Sequence, residues 1–193
     1  MKPGSHVTFT KHHSQFIVGV IDIVRSTEIT ASLSANQIDD FYTIFLEEIS
    51  LALKTHGAHI IKNMGDGVLF YFPETNTNEA TAKTAIACGE NLLTARKMIN
   101  EKMRAKGLPE ISYRVSESYG PVSAMLDADL HVADLFGATV NTCAKINKLA
   151  RPDSLVIGEA MRTLLDDTFQ AKKIADYRVS DALSFGVFEV KND

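Results

Sequence analysis

The stretch Ile60 to Phe72, IIKNMGDGVLFYF, constrains the fold more than any other. Apolar residues run up to Lys62, Asn63-Met64-Gly65-Asp66-Gly67 turns the chain, and Val68 to Phe72 runs apolar again. Two short β-branched or aromatic runs around a Gly-Asp-Gly turn specify a tight β-hairpin. Asp66 at its tip is exposed and rigidly held, and glycine on either side lets a ligand approach closely. On the hairpin alone, Asp66 reads equally well as a turn former and as a functional carboxylate.

A second apolar run, Phe16 to Val24 (FIVGVIDIV), carries its own carboxylate at Asp22. A run apolar almost without break is a central strand covered on both faces. Burying even a neutral polar group without a partner costs about 2–7 kcal/mol, and a lone charge costs more. Either a basic side chain or a metal must therefore neutralise Asp22. Two carboxylates on adjacent strands of one sheet hold divalent cations through oxygen ligands. Arg25-Ser26-Thr27-Glu28 then breaks the strand and starts a helix. Backbone N–H groups at a helix start favour phosphate.

These segments resemble the class III nucleotidyl cyclases. Asp22 to Thr27 is similar to the family pattern Asp-Ile-Val-x-(Ser/Phe)-Thr, and Lys62 to Asp66 to Lys-x-x-Gly-Asp. Gly137 to Arg151, GATVNTCAKINKLAR, is similar to the Gly-x-x-Val-Asn-x-Ala-x-Arg helix. Arg114 to Val122, RVSESYGPV, is a weaker match to a strand-turn-strand block. The blocks stand in family order and span about residues 15 to 160.

The resemblance implies a reaction that turns a nucleoside triphosphate into a 3′,5′-cyclic monophosphate and pyrophosphate. Two ions of Mg2+ or Mn2+ per site would be held by Asp22, Asp66 and the main-chain carbonyl of Ile23. The amides of Ile23, Val24, Arg25, Ser26 and Thr27 would cradle the triphosphate. Lys62 and Asp134, three residues before Gly137, match the base-reading pair. An ammonium that donates and a carboxylate that accepts suit the edge of adenine, so the implied substrate is ATP. Guanine would leave unpaired groups, at about 1–3 kcal/mol each when buried. Read alone, Lys62 is equally a solvated strand-end lysine, and Asp134 a loop or helix-cap aspartate.

Asn141 and Lys145 lie one helical turn apart and project to one side. Asn141 matches the residue that orients the ribose. Lys145 stands where the family has its transition-state arginine. A lysine is a point charge on a mobile stem, whereas arginine offers a planar fork. Losing one well-placed donor costs about 10²–10³ in rate. The departure leaves three readings: a slow enzyme, help from Lys148 or Arg151, or a weak homologue that binds a nucleotide or pairs with another cyclase chain. Ser116-Glu117-Ser118 is a second departure, to which the sequence assigns no chemistry.

The 193 residues suit one domain, 15–193, after a loose lead-in at 1–14. His12-His13 invites reading as a metal pair, but adjacent side chains on a strand point apart, which disfavours it. With a net charge of −4, the chain has no basic field for nucleic acid. Cys88 and Cys143 lack metal-ligand spacing and are expected to be reduced. No run approaches the roughly 20 apolar residues that span a bilayer. The N-terminal residues lack the apolar core of a signal peptide, so the expectation is a soluble, cytoplasmic protein.

The expected elements are a helix from Ser34, a helix from Asn78 to Ala105 after the loop Pro73–Asn76, and strand-turn-strand over Ile111 to Leu126. A helix over Phe136 to Leu149, a strand over Ser154 to Ile157 and a helix over Gly158 to Leu165 follow. Phe169 to Ile174 and Phe185 to Val190 are expected edge strands. This order gives an α+β fold, a ferredoxin-like split βαβ core with additions. The sheet is expected to be mostly antiparallel, with helices on one face. The resemblance implies a head-to-tail homodimer that covers the other.

Overall fold

A computed structural model describes residues 8–9, 14–73, 79–180 and 183–191. His12-His13 and most of the loop after Pro73 lie outside them. The run around Asp22 forms β2 (Ser14–Ile23), and its unbroken apolar character has a direct cause. Ile17, Ile21 and Ile23 enter a large core on one face. Phe16, Val18 and Val20 enter a second core on the other. Strand alternation delivers the two sets to opposite faces.

After β2 come α1 (Ser26–Ala31) and α2 (Ala35–Thr55). Gln37 reaches back to the Ser34 amide at 3.0 Å, which caps α2 at the residue where the sequence starts this helix. The hairpin follows as β3 (His59–Asn63) and β4 (Gly67–Phe72), closed by Met64 N–H to Gly67 O at 2.7 Å. Gly65 has a φ of 74°, the left-handed conformation for which the turn needs glycine. Then come α3 (Glu79–Ala105), β5 (Tyr113–Leu126), β6 (Val132–Phe136) and α4 (Ala138–Asn147). The chain ends with β7 (Leu155–Gly158), α5 (Glu159–Arg162), β8 (Ala171–Ser180) and β9 (Leu183–Val190). The short β1 (Thr8–Phe9) pairs with the far end of β5, which places part of the lead-in on the sheet.

The strands run β3-β4-β2-β5-β7-β9-β8, and among the described residues only the β5–β7 pair is parallel. The first four make the split βαβ core, with β2 between β4 and β5. Several expectations need correction. β5 is one strand of 14 residues, not two around Tyr119-Gly120-Pro121. Pro121 O accepts the Thr139 hydroxyl at 2.8 Å, so the backbone of Pro121 faces away from β2 and its missing N–H costs no ladder bond. β9 is interior, between β7 and β8, so only β8 is an edge at that end. Phe136 ends β6 instead of starting the helix. Helices also lie on both faces. α2 and α3 cover the large core, while Cys143 of α4 packs with Val18 and Val20 on the second face. The chain thus covers part of that face itself. Both cysteines are free and buried. No helix among the described residues is long and apolar enough to cross a membrane.

Gly19 gives this packing a test. A Cβ there would lie 2.0 Å from Phe70 Cζ, and that ring is fully buried with no room to withdraw. Gly19→Ala should therefore lower the unfolding free energy by about 1–3 kcal/mol through overpacking. Urea denaturation reads it; an unchanged midpoint would mean that the β2–β4 contact is looser than described.

Candidate active site

Asp22 is the next-to-last residue of β2, directly opposite both Gly67 of β4 and Arg114 of β5. At Gly67 a Cβ would come 2.6 Å from the Ile21 carbonyl oxygen. Glycine therefore lets β4 close on β2 and bring Asp66, one residue earlier, beside Asp22. The Ile23 amide donates to Asp66 O at 3.2 Å and fixes the hairpin tip to the end of β2. The Ser26 hydroxyl, at the start of α1, donates to Asp66 Oδ2.

The Arg114 guanidinium meets Asp22 Oδ2 at 3.3 Å in a part-buried pair. A basic side chain thus faces Asp22, but it does not neutralise the site. The Asp22 carboxyl is raised above the usual carboxylate range, first by burial and then by the Asp66 charge; Arg114 and Lys148 only oppose this. Two carboxylates with an incomplete cationic complement form a hard-oxygen donor set that suits a divalent ion. Ile23 and Val24 already donate their amides, to Asp66 O and Ser112 O. At the start of α1 the amides of Arg25, Ser26 and Thr27 have no such backbone acceptor among the described residues.

A second cluster lies where β6 folds over the second core. Leu135 and Val132 pack there with Ile61, Leu69 and Tyr71. This brings Asp134 to Lys62 of β3, and the two form an ion pair at 2.7 Å. The Lys62 ammonium lies 5.9 Å from the centroid of the Phe136 ring, within cation–π reach. Asp134 is further fixed by accepting the Leu135 amide at 2.8 Å.

The third group is on α4. Thr139, Cys143, Ile146 and Asn147 are buried, so Asn141, Lys145 and Lys148 occupy the exposed side. Neither Asn141 nor Lys145 forms a hydrogen bond or ion pair with Asp22 or Asp66 of its own chain. Asn147 pins this helix to the sheet: its Nδ2 donates to Val20 O at 3.0 Å and Arg114 O at 3.3 Å. Arg151 is bound in a two-point pair to Glu189, while the Lys148 charge acts on Asp22 of its own chain.

Sequence reasoning missed Arg114, Ser26 as a partner of Asp66, and Asn147. Arg114 is 92 residues from Asp22, and only strand register joins them. Asp127, Asp129 and His131 also cluster, with ligand atoms within 4.8 Å, but all three are exposed on the β5–β6 turn. Asp127 already accepts the amides of Asp129 and His131 there.

This geometry can be set beside known proteins. The family model for the adenylate and guanylate cyclase catalytic domain matches residues 10–189. The chain belongs to that family. It is 23% identical to an adenylate cyclase of Streptomyces coelicolor over 143 residues, 74% of this chain and 32% of the relative. It spans about a third or less of the length of the curated relatives it matches. Its fold is similar to that of the adenylyl cyclase CyaB from P. aeruginosa, with a TM-score of 0.84, 20% identity and coverage of 96% and 97%. The guanylyl cyclase Cya2 aligns with a TM-score of 0.82, 18% identity and 92% of each chain. Cyclase domains of this family act on a nucleotide with divalent metal ions and work as dimers. Relatives of both base specificities stand at similar distance.

The Lys62–Asp134 pair can be separated from fold stability. The lysine side chain is 44% exposed, so solvent screens its end of the pair although the aspartate is only 16% exposed. Lys62→Met should change urea stability by less than about 1 kcal/mol. A loss of several kcal/mol would assign the pair to the fold rather than to a ligand.

Proposed function

We propose that this cyclase domain converts ATP to 3′,5′-cyclic AMP and pyrophosphate at sites formed between two copies of the chain. The observation that carries the reading is the meeting of Asp22 and Asp66 beside a helix start, with Arg114 as their incomplete counter-charge. Two ions of Mg2+ or Mn2+, held by Asp22, Asp66 and the Ile23 carbonyl, would lower the pKa of the 3′-hydroxyl and neutralise phosphate charge. The amides of Arg25, Ser26 and Thr27 donate to the triphosphate oxygens, and Ser26 holds Asp66 in place. Arg114 keeps Asp22 oriented toward the site and adds positive charge beside the phosphates.

The adenine choice rests on the Lys62–Asp134 pair. Lys62 donates to ring N1 and Asp134 accepts from the exocyclic amine, while the exposed face of Phe136 offers an apolar wall. Asn141 orients the ribose, and Lys145 meets the charge that grows on the phosphate. Asn141 and Lys145 form no hydrogen bond or ion pair with Asp22 or Asp66 of their own chain. That supports a head-to-tail homodimer in which each site takes Asp22 and Asp66 from one copy and Lys62, Asp134, Asn141 and Lys145 from the other. Lys145 in place of arginine favours a second reading, a weak homologue that binds a nucleotide without turning it over.

Incubation with Mn2+ and either ATP or GTP, followed by chromatography, distinguishes these. Cyclic AMP should exceed cyclic GMP, and Asp22→Ala or Asp66→Ala should each abolish turnover while leaving the circular dichroism unchanged. More product from GTP would overturn the adenine assignment. Wild-type activity in either variant would remove the metal assignment. No product from either nucleotide would favour the binding homologue.

A further inference from the structure

Glu117 lies in the middle of β5 with no solvent exposure. Neither of its carboxyl oxygens has a hydrogen-bond partner among the described residues. Strand alternation puts it on the α3 side of the sheet, with Tyr113 and Val115. Its neighbours in the sheet are Gly19 of β2 and Ile157 of β7, which bring no polar side chain. Above it, in the interior of α3, sits Gly89. A Cβ at Gly89 would come 3.3 Å from Glu117 Oε1 and 2.7 Å from Leu155 Cδ2.

Each of these residues is unfavourable where it stands. Glycine inside a helix costs about 1 kcal/mol relative to alanine. A glutamate in an apolar layer costs more. In space the two are complementary: the helix lacks a side chain where the strand carries a carboxyl. An ionised Glu117 would find no compensating charge. From α3 it meets the like charge of Glu90 and the Cys88 thiol; from α4, across the sheet, the Cys143 thiol. No lysine, arginine or histidine among the described residues acts on it.

We propose that Glu117 is carried as a neutral carboxylic acid in the folded chain, and that release of its proton to solvent forces α3 away from β5, so that alkaline conditions open the fold. Burial supports this, since it pushes the Glu117 carboxyl well above the ordinary value of 4.5. The sign follows. The folded chain binds the proton more tightly than the unfolded chain. The stabilisation is fully present below about pH 4.5 and is lost as pH rises through the raised folded-state value. Within that window the unfolding constant grows by up to about tenfold per pH unit. This proton-linked lock does not depend on which nucleotide the domain uses.

The test is urea unfolding of the full chain, wild type beside Glu117→Gln and Glu117→Met, from mildly acidic to mildly alkaline buffers. Wild type should lose stability relative to both variants as pH rises. Its infrared spectrum should show a buried protonated-carboxyl band that Glu117→Gln lacks. Parallel stability curves, or no such band, would overturn the proposal. So would failure of both variants to fold in mild acid, because a neutral, unpaired carboxyl can be replaced there at little cost.

Discussion

Two carboxylates are forced together where β4 begins beside the end of β2, and the rest of the molecule accommodates that juxtaposition. The close approach at Gly67 sets the distance. Burial and mutual repulsion raise Asp22 above its usual range. Arg114 on one side, Ser26 on the other and the amide of Ile23 hold the pair without cancelling its charge. The β2–β4 ladder, the hairpin turn and the start of α1 therefore converge on a place where a cation is electrostatically favoured. That is the requirement of a cyclase that handles a triphosphate.

The second face of the sheet carries the groups proposed to read the base and orient the ribose. β6 folds over it and joins Asp134 to Lys62. α4 is pinned there through Cys143 and Asn147, so Asn141 and Lys145 point outward. On the proposed reading a single chain therefore holds two incomplete sets, Asp22 with Asp66 and the Lys62–Asp134 pair with Asn141 and Lys145. Two-fold pairing of identical chains would bring the acidic set of each against the other set of its partner. The exposed rings of Phe9 and Phe136, in edge contact beside Lys62, continue this face.

The hairpin, β2 and the start of α2 were legible in the sequence because each is encoded locally, by a glycine turn, an unbroken apolar run or a serine at the helix start. β5 was not, since Gly120-Pro121 carries a turn signal that the sheet overrides by directing the proline backbone toward Thr139. Arg114 as the partner of Asp22 depends on register between distant strands, which no local pattern carries. The cover supplied by α4 was hidden for a similar reason: its buried stripe of Thr139, Cys143 and Asn147 is small and half polar. Glu117 is legible only in three dimensions, where it stands opposite Gly89.

The division of the site between two copies is tested most directly by mixing two inactive variants, Asp66→Ala and Asn141→Ala, and measuring cyclic AMP formation after verified subunit exchange. Each mixed dimer has one site with both lesions and one with none. Random pairing gives about half mixed dimers, so roughly a quarter of wild-type activity should return. No recovery would place all the catalytic groups within one chain and contradict the account.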